Sequence, residues 1–257
     1  MSNQKVYQFR PRWASSANHP IPQSDLLREV PDLPVISGTL LSMELVICQR
    51  SVDLAQVSQL VLSDLGATLQ ILRRAGREAA MGRDCLERVE DCISWLGLEG
   101  CLEAMAECPI TRSTRFATIL SAWDRAREIA VISRFVAEKL ALNVASEDAY
   151  LVGLAHGIGN LPEILKWDWM SQSGGNNDLA GLRIAEAWRL PHCIVDYFLD
   201  RLAGKTQTPW TMIVDCALEL LESRLSASLR DEFIPVSLAP SGRYQLAASR
   251  PPAYAGS

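Results

Sequence analysis

The feature that most constrains this chain is a helical spacing of apolar residues, repeated through nearly its whole middle. The longest example is expected to begin near Ser113 and run to Leu142, with Asn143 as its stop. It places Phe116, Ile119, Leu120, Trp123, Ala126 and Ala130 at i, i+3, i+4 and i+7 intervals. Such a stripe lines one face of a helix, whereas a half-buried strand would need apolar residues at every second position. No convincing alternating pattern appears anywhere. The expected class is therefore all-α, with about a dozen helices and no internal repeat.

The other segments follow the same spacing. LPVISGTLLSMELVICQR puts Ile36, Leu40, Met43 and Ile47 on one face, and SVDLAQVSQLVLSD does the same with Val57, Leu60 and Val61. GATLQILRRAG reads as a short helix closed by Gly76 as its C-cap. CLERVEDCISWLG and LEGCLEAMAEC are split at Gly97 and end at Pro109. Ser146 is the expected cap of SEDAYLVGLAH, whose two early acids suit the helix dipole. Further helices are expected in LPEILKWDWM, with Pro162 near its start, and in DLAGLRIAEAWRL, capped by Asp178. PHCIVDYFLDRLAG should start with Pro191 at its first turn, and PWTMIVDCALELLESRLSASL should close the fold.

Residues 1–23 hold Pro11, Pro20 and Pro22 and read as a flexible arm; residues 231–257, with four prolines, read as a loosely ordered tail. Between them, 24–230 should form two helical lobes, 24–112 and 113–230. A chain of 257 residues that is 48% hydrophobic can bury a sizeable core. A net charge of −5 gives no general basic face for nucleic acid, and no DNA-recognition motif is present. No stretch reaches the roughly 18–20 apolar residues that span a bilayer, and no apolar leader segment is visible. The seven cysteines contain no CxxC pair, which fits a reducing, cytoplasmic setting.

Five landmarks occur in order: LPVISGTLLSMELVI, VLSDLGATLQILRRAG, VEDCISWLGLEG, AYLVGLAHGIGNLPEIL and AEAWRLPHCIVDYF. Together they resemble the HDOD domains, bacterial relatives of HD-type metal phosphohydrolases. The resemblance covers about Leu33 to Phe198. It implies a two-lobed helical fold whose second lobe is related to the phosphohydrolases. It also implies a regulatory role in a bacterial cytoplasm.

The departures from the HD pattern bear on activity. HD enzymes hold metal through histidines on separate helices and an adjacent His-Asp pair, and the metal turns water into a nucleophile. Here the paired position reads His156-Gly157, so the carboxylate is absent. The first-helix histidine falls at or near Arg125, whose guanidinium cannot ligate a cation. A later histidine position reads Leu179, the positions after the Leu-Pro junction read Leu199, Asp200 and Arg201, and the lysine that often follows HDIG is Asn160. One imidazole cannot hold a metal that needs several protein ligands. The remnant region is thus Arg125, His156, Gly157, Asp178, His192 and Asp200, with no cofactor expected.

Three functional readings follow. The first is a non-catalytic signalling protein that acts through contacts with partner proteins. The second is a sensor that binds a nucleotide or cyclic dinucleotide without hydrolysis, using Arg125 or the cluster Arg73, Arg74, Arg77 and Arg83 for phosphate. That cluster reads more readily as a solvated, salt-bridged helix end, helped by Glu78 and Asp84. The third is a metal-dependent phosphohydrolase using His156, Asp178, His192 and Asp200. The cysteine pairs Cys85/Cys92 and Cys101/Cys108 read as buried packing rather than a zinc site. Trp167 and Trp169 should point to different sides of their helix, one inward and one exposed. SGGNN at 173–177 reads as a cover or a linker.

Overall fold

The computed structural model describes residues 30–49, 51–82, 86–107, 116–140, 142–167 and 176–223. These residues form helices and connecting turns, with no strand among them. The first group comprises α1 (Ser37–Ile47), α2 (Leu54–Leu62), α3 (Leu65–Gly82) and α4 (Val89–Ala106). The second comprises α5 (Phe116–Lys139), α6 (Ser146–Ala155), α7 (Leu161–Leu165), α8 (Asn177–Ala187), α9 (His192–Leu202) and α10 (Pro209–Glu222), with a 3-10 turn at Ile158–Asn160 before α7. No described helix is long and apolar enough to cross a membrane.

The helix α5 is the axis of the second group. It packs along α6, lies against α10, and touches α3 of the first group. Its stripe buries Ile119, Trp123, Ala126 and Ala130 as the spacing predicts, while Phe116 and Leu120 stay at least partly exposed. Its expected start at Ser113 lies outside the described residues, and it ends at Lys139 rather than Leu142. One core cluster runs through both groups, from Leu33 and Met43 through Leu69 and Trp123 to Trp188 and Phe198.

Several helix ends differ from expectation. Gly76 does not stop α3, which continues to Gly82. Its missing side chain instead lets the helix approach a turn: a Cβ there would lie 3.1 Å from the Arg189 carbonyl oxygen. Ala145, not Ser146, occupies the cap of α6. Asn176 rather than Asp178 caps α8, its side-chain oxygen accepting from the Leu179 N–H at 3.0 Å. Pro191 is the N-cap of α9 and not its first helical residue, so the helix starts one residue later than expected. The split at Gly97 is present: φ of 67° and ψ of 171° break α4 in two there. Pro162 sits in the first turn of α7 as expected. Pro109 and residues 168–175 lie outside the described residues.

Candidate functional site

The stretch GLAHGIGN ends α6 and turns into α7. Its glycines are contact points. A Cβ on Gly153 would come within 2.7 Å of the Ser133 Cβ on α5, and one on Gly159 within 1.8 Å of the Asn177 carbonyl oxygen at the start of α8. Asn160 is tied to that same residue, since the Asn177 Nδ2 donates to the Asn160 Oδ1 at 2.5 Å.

His156 is the C-cap of α6 and is half-buried. Its Nδ1 lies 2.7 Å from the Gly153 carbonyl oxygen of its own helix. Donation from Nδ1 leaves Nε2 as the acceptor of a neutral ring. Burial pushes the imidazole below its usual range; the bond to Gly153 pulls it back, and the nearby Arg125 cation lowers it again. Arg125 itself is exposed on α5 and pairs with Glu222 of α10 at 3.3 Å. The groove beside it, about 640 Å³, also holds Asp124 and Glu128.

The two aspartates of the region are occupied. Asp178, in the first turn of α8, lies 3.6 Å from Arg201 Nε, while Arg201 Nη1 reaches Asp215 of α10 at 3.3 Å. Asp200 pairs with Lys205 at 3.2 Å. His192 stands at the other end of α9, 4.0 Å from Glu87 and about 12 Å along the helix axis from Asp200. The structure therefore brings Arg125 near His156 and joins Asp178 to Arg201, but it separates His192 from both. Among the described residues no three histidine, cysteine or acidic side chains converge as a metal would require. The donor set does not fit the metal that HD-type chemistry needs.

The arginine cluster does not form one patch. Arg73 is buried, ion-paired with Asp32, and stacked 5.2 Å from the centre of the Trp188 ring. Arg74 faces acids, with Glu78 at 2.6 Å, Glu107 at 3.4 Å and Glu103 at 3.9 Å. Arg77 is exposed and engaged in an interaction of its own, and Arg83 lies outside the described residues. Cys92 and Cys101 are buried, and burial pushes their thiols up to about 12 and about 11. Cys85, Cys108, Asp168 and Trp169 are outside the described residues; Trp167 is buried edge-on against Trp188.

One residue that the sequence did not single out organises the core. Asp64 is fully buried at the start of α3. Its Oδ2 accepts from the Ile36 N–H at 2.8 Å, and its Oδ1 from the Ala67 N–H at 3.2 Å and the Trp123 Nε1–H at 3.1 Å. An aspartate just before a helix is a readable cap, but a partner at position 123 is not.

The HDOD domain family matches residues 33–175. The chain belongs to the HDOD family. As an HDOD protein it is similar in fold to the MmoQ response regulator from Methylococcus capsulatus str. Bath, with a TM-score of 0.59 at 22% identity over 80% of this chain and 93% of that one. It is similar also to a virulence factor (cj0248) from Campylobacter jejuni subsp. jejuni, with a TM-score of 0.51 at 14% identity over 77% and 82% of the two chains. No curated protein matches it. The family segment carries the Leu-Pro opening, Asp64 and the GLAHGIGN turn; α8 to α10 lie beyond it.

Proposed function

We propose that this HDOD protein is a non-catalytic regulator of the bacterial cytoplasm that works by contact with a signalling partner. The observation that carries the reading is the fate of the charges around His156. Gly157 offers no carboxylate, Arg125 supplies a cation, and Asp178 and Asp200 are bound by Arg201 and Lys205. Among the described residues, no three histidine, cysteine or acidic side chains converge on which a metal-activated water could form. Two features support a role in contact. Leu41 and Leu45, one turn apart on α1, are 58% and 67% exposed, and Trp95 on α4 is 46% exposed. An exposed tryptophan is a common anchor of protein interfaces, and adjacent exposed apolar side chains mark interaction surfaces.

The nucleotide reading draws less from the geometry. Phosphates placed on Arg125 would face Asp124, Glu128 and Glu222 in the same groove, and Arg73 is buried.

The test is elemental analysis of tag-free protein purified without chelator, beside a His156→Ala control and an assay with a chromogenic phosphodiester under added manganese. The expected result is neither bound metal nor metal-dependent turnover. Near-stoichiometric zinc, iron or manganese that disappears in His156→Ala would overturn the reading. Affinity capture with wild type and with a Leu41→Asp/Leu45→Asp variant tests the contact half: a partner kept equally well by both would remove the α1 face from it.

A further inference from the structure

The least explained feature of the molecule lies away from His156. Where the two helix groups meet there is a cleft of about 380 Å³, walled by α2 and the start of α4 on one side and by α5 and the first turns of α6 on the other. Its apolar lining includes Leu54, Leu62 and Leu151. Charges of both signs share it: Arg88 and Arg134 with Glu90, Glu147 and Asp148. Among the described residues, none of these five closes an ion pair. Arg74, Arg125, Arg201 and Lys205, by contrast, each have a carboxylate within 4.0 Å.

The lining is held in place. The Arg134 guanidinium lies 5.7 Å from the centre of the Tyr150 ring, and the Tyr150 hydroxyl donates to the Leu62 carbonyl oxygen at 2.9 Å. Stacking of this kind fixes a long side chain without neutralising it. Asp148 is half-buried; burial, Glu87 and Glu147 push its carboxyl up, and only Arg88 pulls it back. At the wall sits Ser58, 3% exposed, whose hydroxyl has no hydrogen-bond partner. A buried hydroxyl without a hydrogen-bond partner calls for one.

We propose that this cleft binds a small zwitterion of the amino-acid or short-peptide class, its carboxylate on Arg134 and Arg88, its ammonium on Asp148 and Glu147, and its apolar side chains over Leu54, Leu62 and Leu151. The Ser58 hydroxyl would accept from the ammonium. A plain anion would meet three carboxylates in the same cleft, and a plain cation would meet two guanidiniums, so only a ligand bearing both charges gains from both sets of groups. The volume is at the lower end of small-molecule sites, which suits a dipeptide. Because the walls come from both helix groups, the ligand would bridge them. The inference is independent of the partner-contact reading and stands or falls without it.

The test is calorimetric titration and thermal shift of the full chain with leucyl-leucine at millimolar concentration, against N-acetyl-leucyl-leucine amide, which has the same body and neither charge. The expected result is saturable binding and a raised Tm with leucyl-leucine, and neither with the blocked peptide. Arg134→Gln and Asp148→Asn should each weaken binding by about tenfold or more, the worth of one charge-assisted hydrogen bond. If Arg134→Gln fails to fold through loss of its Tyr150 contact, Asp148→Asn, which breaks no ion pair, carries the test. Absence of binding by leucyl-leucine, equal binding of the blocked peptide, or unchanged affinity in Asp148→Asn would overturn the proposal.

Discussion

Asp64 and His156 are both titratable groups tucked into helix ends, yet pH acts on them in opposite directions. Asp64 ties the start of α1, the start of α3 and the middle of α5 through the N–H groups of Ile36, Ala67 and Trp123. Removing the carboxylate in Asp64→Ala orphans two buried donors and a half-buried one, and a loss of about 3 kcal/mol in unfolding free energy is expected from urea titration. Trp123→Phe removes one donor only and should cost about 1 kcal/mol beyond any packing change. Burial holds the Asp64 pKa above 3.8, with the bonds from Ile36, Ala67, Gly66 and Thr39 restraining the rise. The native state then binds the proton more tightly than the unfolded chain, so this group's contribution falls as pH rises from about 3.8 through the folded value. His156 is held below its ordinary 6.5, so the unfolded chain binds its proton more tightly, and stability is lost as pH falls from about 6.5 toward the folded value. Urea midpoints of wild type and His156→Gln across pH 5 to 8 check the second sign. The wild type should lose ground to the variant on the acid side; a gap that stays constant with pH would contradict it.

Among the elements, the glycines separate into those that hold a contact and those that hold nothing. Gly159 lets the 3-10 turn approach the backbone of α8, and no side chain fits 1.8 Å from a carbonyl oxygen. Gly159→Ala should therefore cost about 1–3 kcal/mol, by prising the start of α8 away. Gly38, in the first turn of α1, has nothing within 4 Å of its missing Cβ. There Gly38→Ala should stabilise by about 0.5 kcal/mol through helix propensity and a less free unfolded chain. Two thermal melts of opposite sign check the pair. Such differences explain how far the elements were readable in advance. Gly97 was legible because a glycine between two apolar helical runs has a local meaning, and its positive φ bears that out. Gly76 looked the same but sits inside α3, where its reason is the Arg189 carbonyl, more than a hundred residues away. Capping misread Asp178 by two positions because Asn176, Asn177 and Asp178 can each serve and backbone geometry chooses among them; at α6 the backbone puts Ala145, which has no capping side chain, one position before Ser146.

At the scale of the molecule the residues of the candidate site were legible and their partners were not. His156 without an acidic neighbour is a fact of the sequence. That Arg201 would bind Asp178 and Asp215, or that Arg73 would lie buried on Trp188 with Asp32 as its counter-ion, depends on helices brought together from distant positions. The same long-range packing sets how the chain should unfold. The two helix groups are separate in sequence but share one core cluster, in which Leu69 and Ile93 of the first join Trp123, Trp188 and Phe198 of the second. The Trp123 indole crosses that junction to reach Asp64, so neither group can open without exposing buried polar and aromatic groups of the other. A shared core with a satisfied polar link favours a single cooperative transition over stepwise loss of one lobe. Far-UV circular dichroism reports all the helices, while tryptophan fluorescence reports chiefly the environment of residues such as Trp123 and Trp188. In urea the two curves should coincide for the wild type. In Asp64→Ala the link is cut, and the fluorescence transition should move to lower urea ahead of the helical one. Two separated transitions in the wild type would mean that the halves are stable apart and that the junction contributes little.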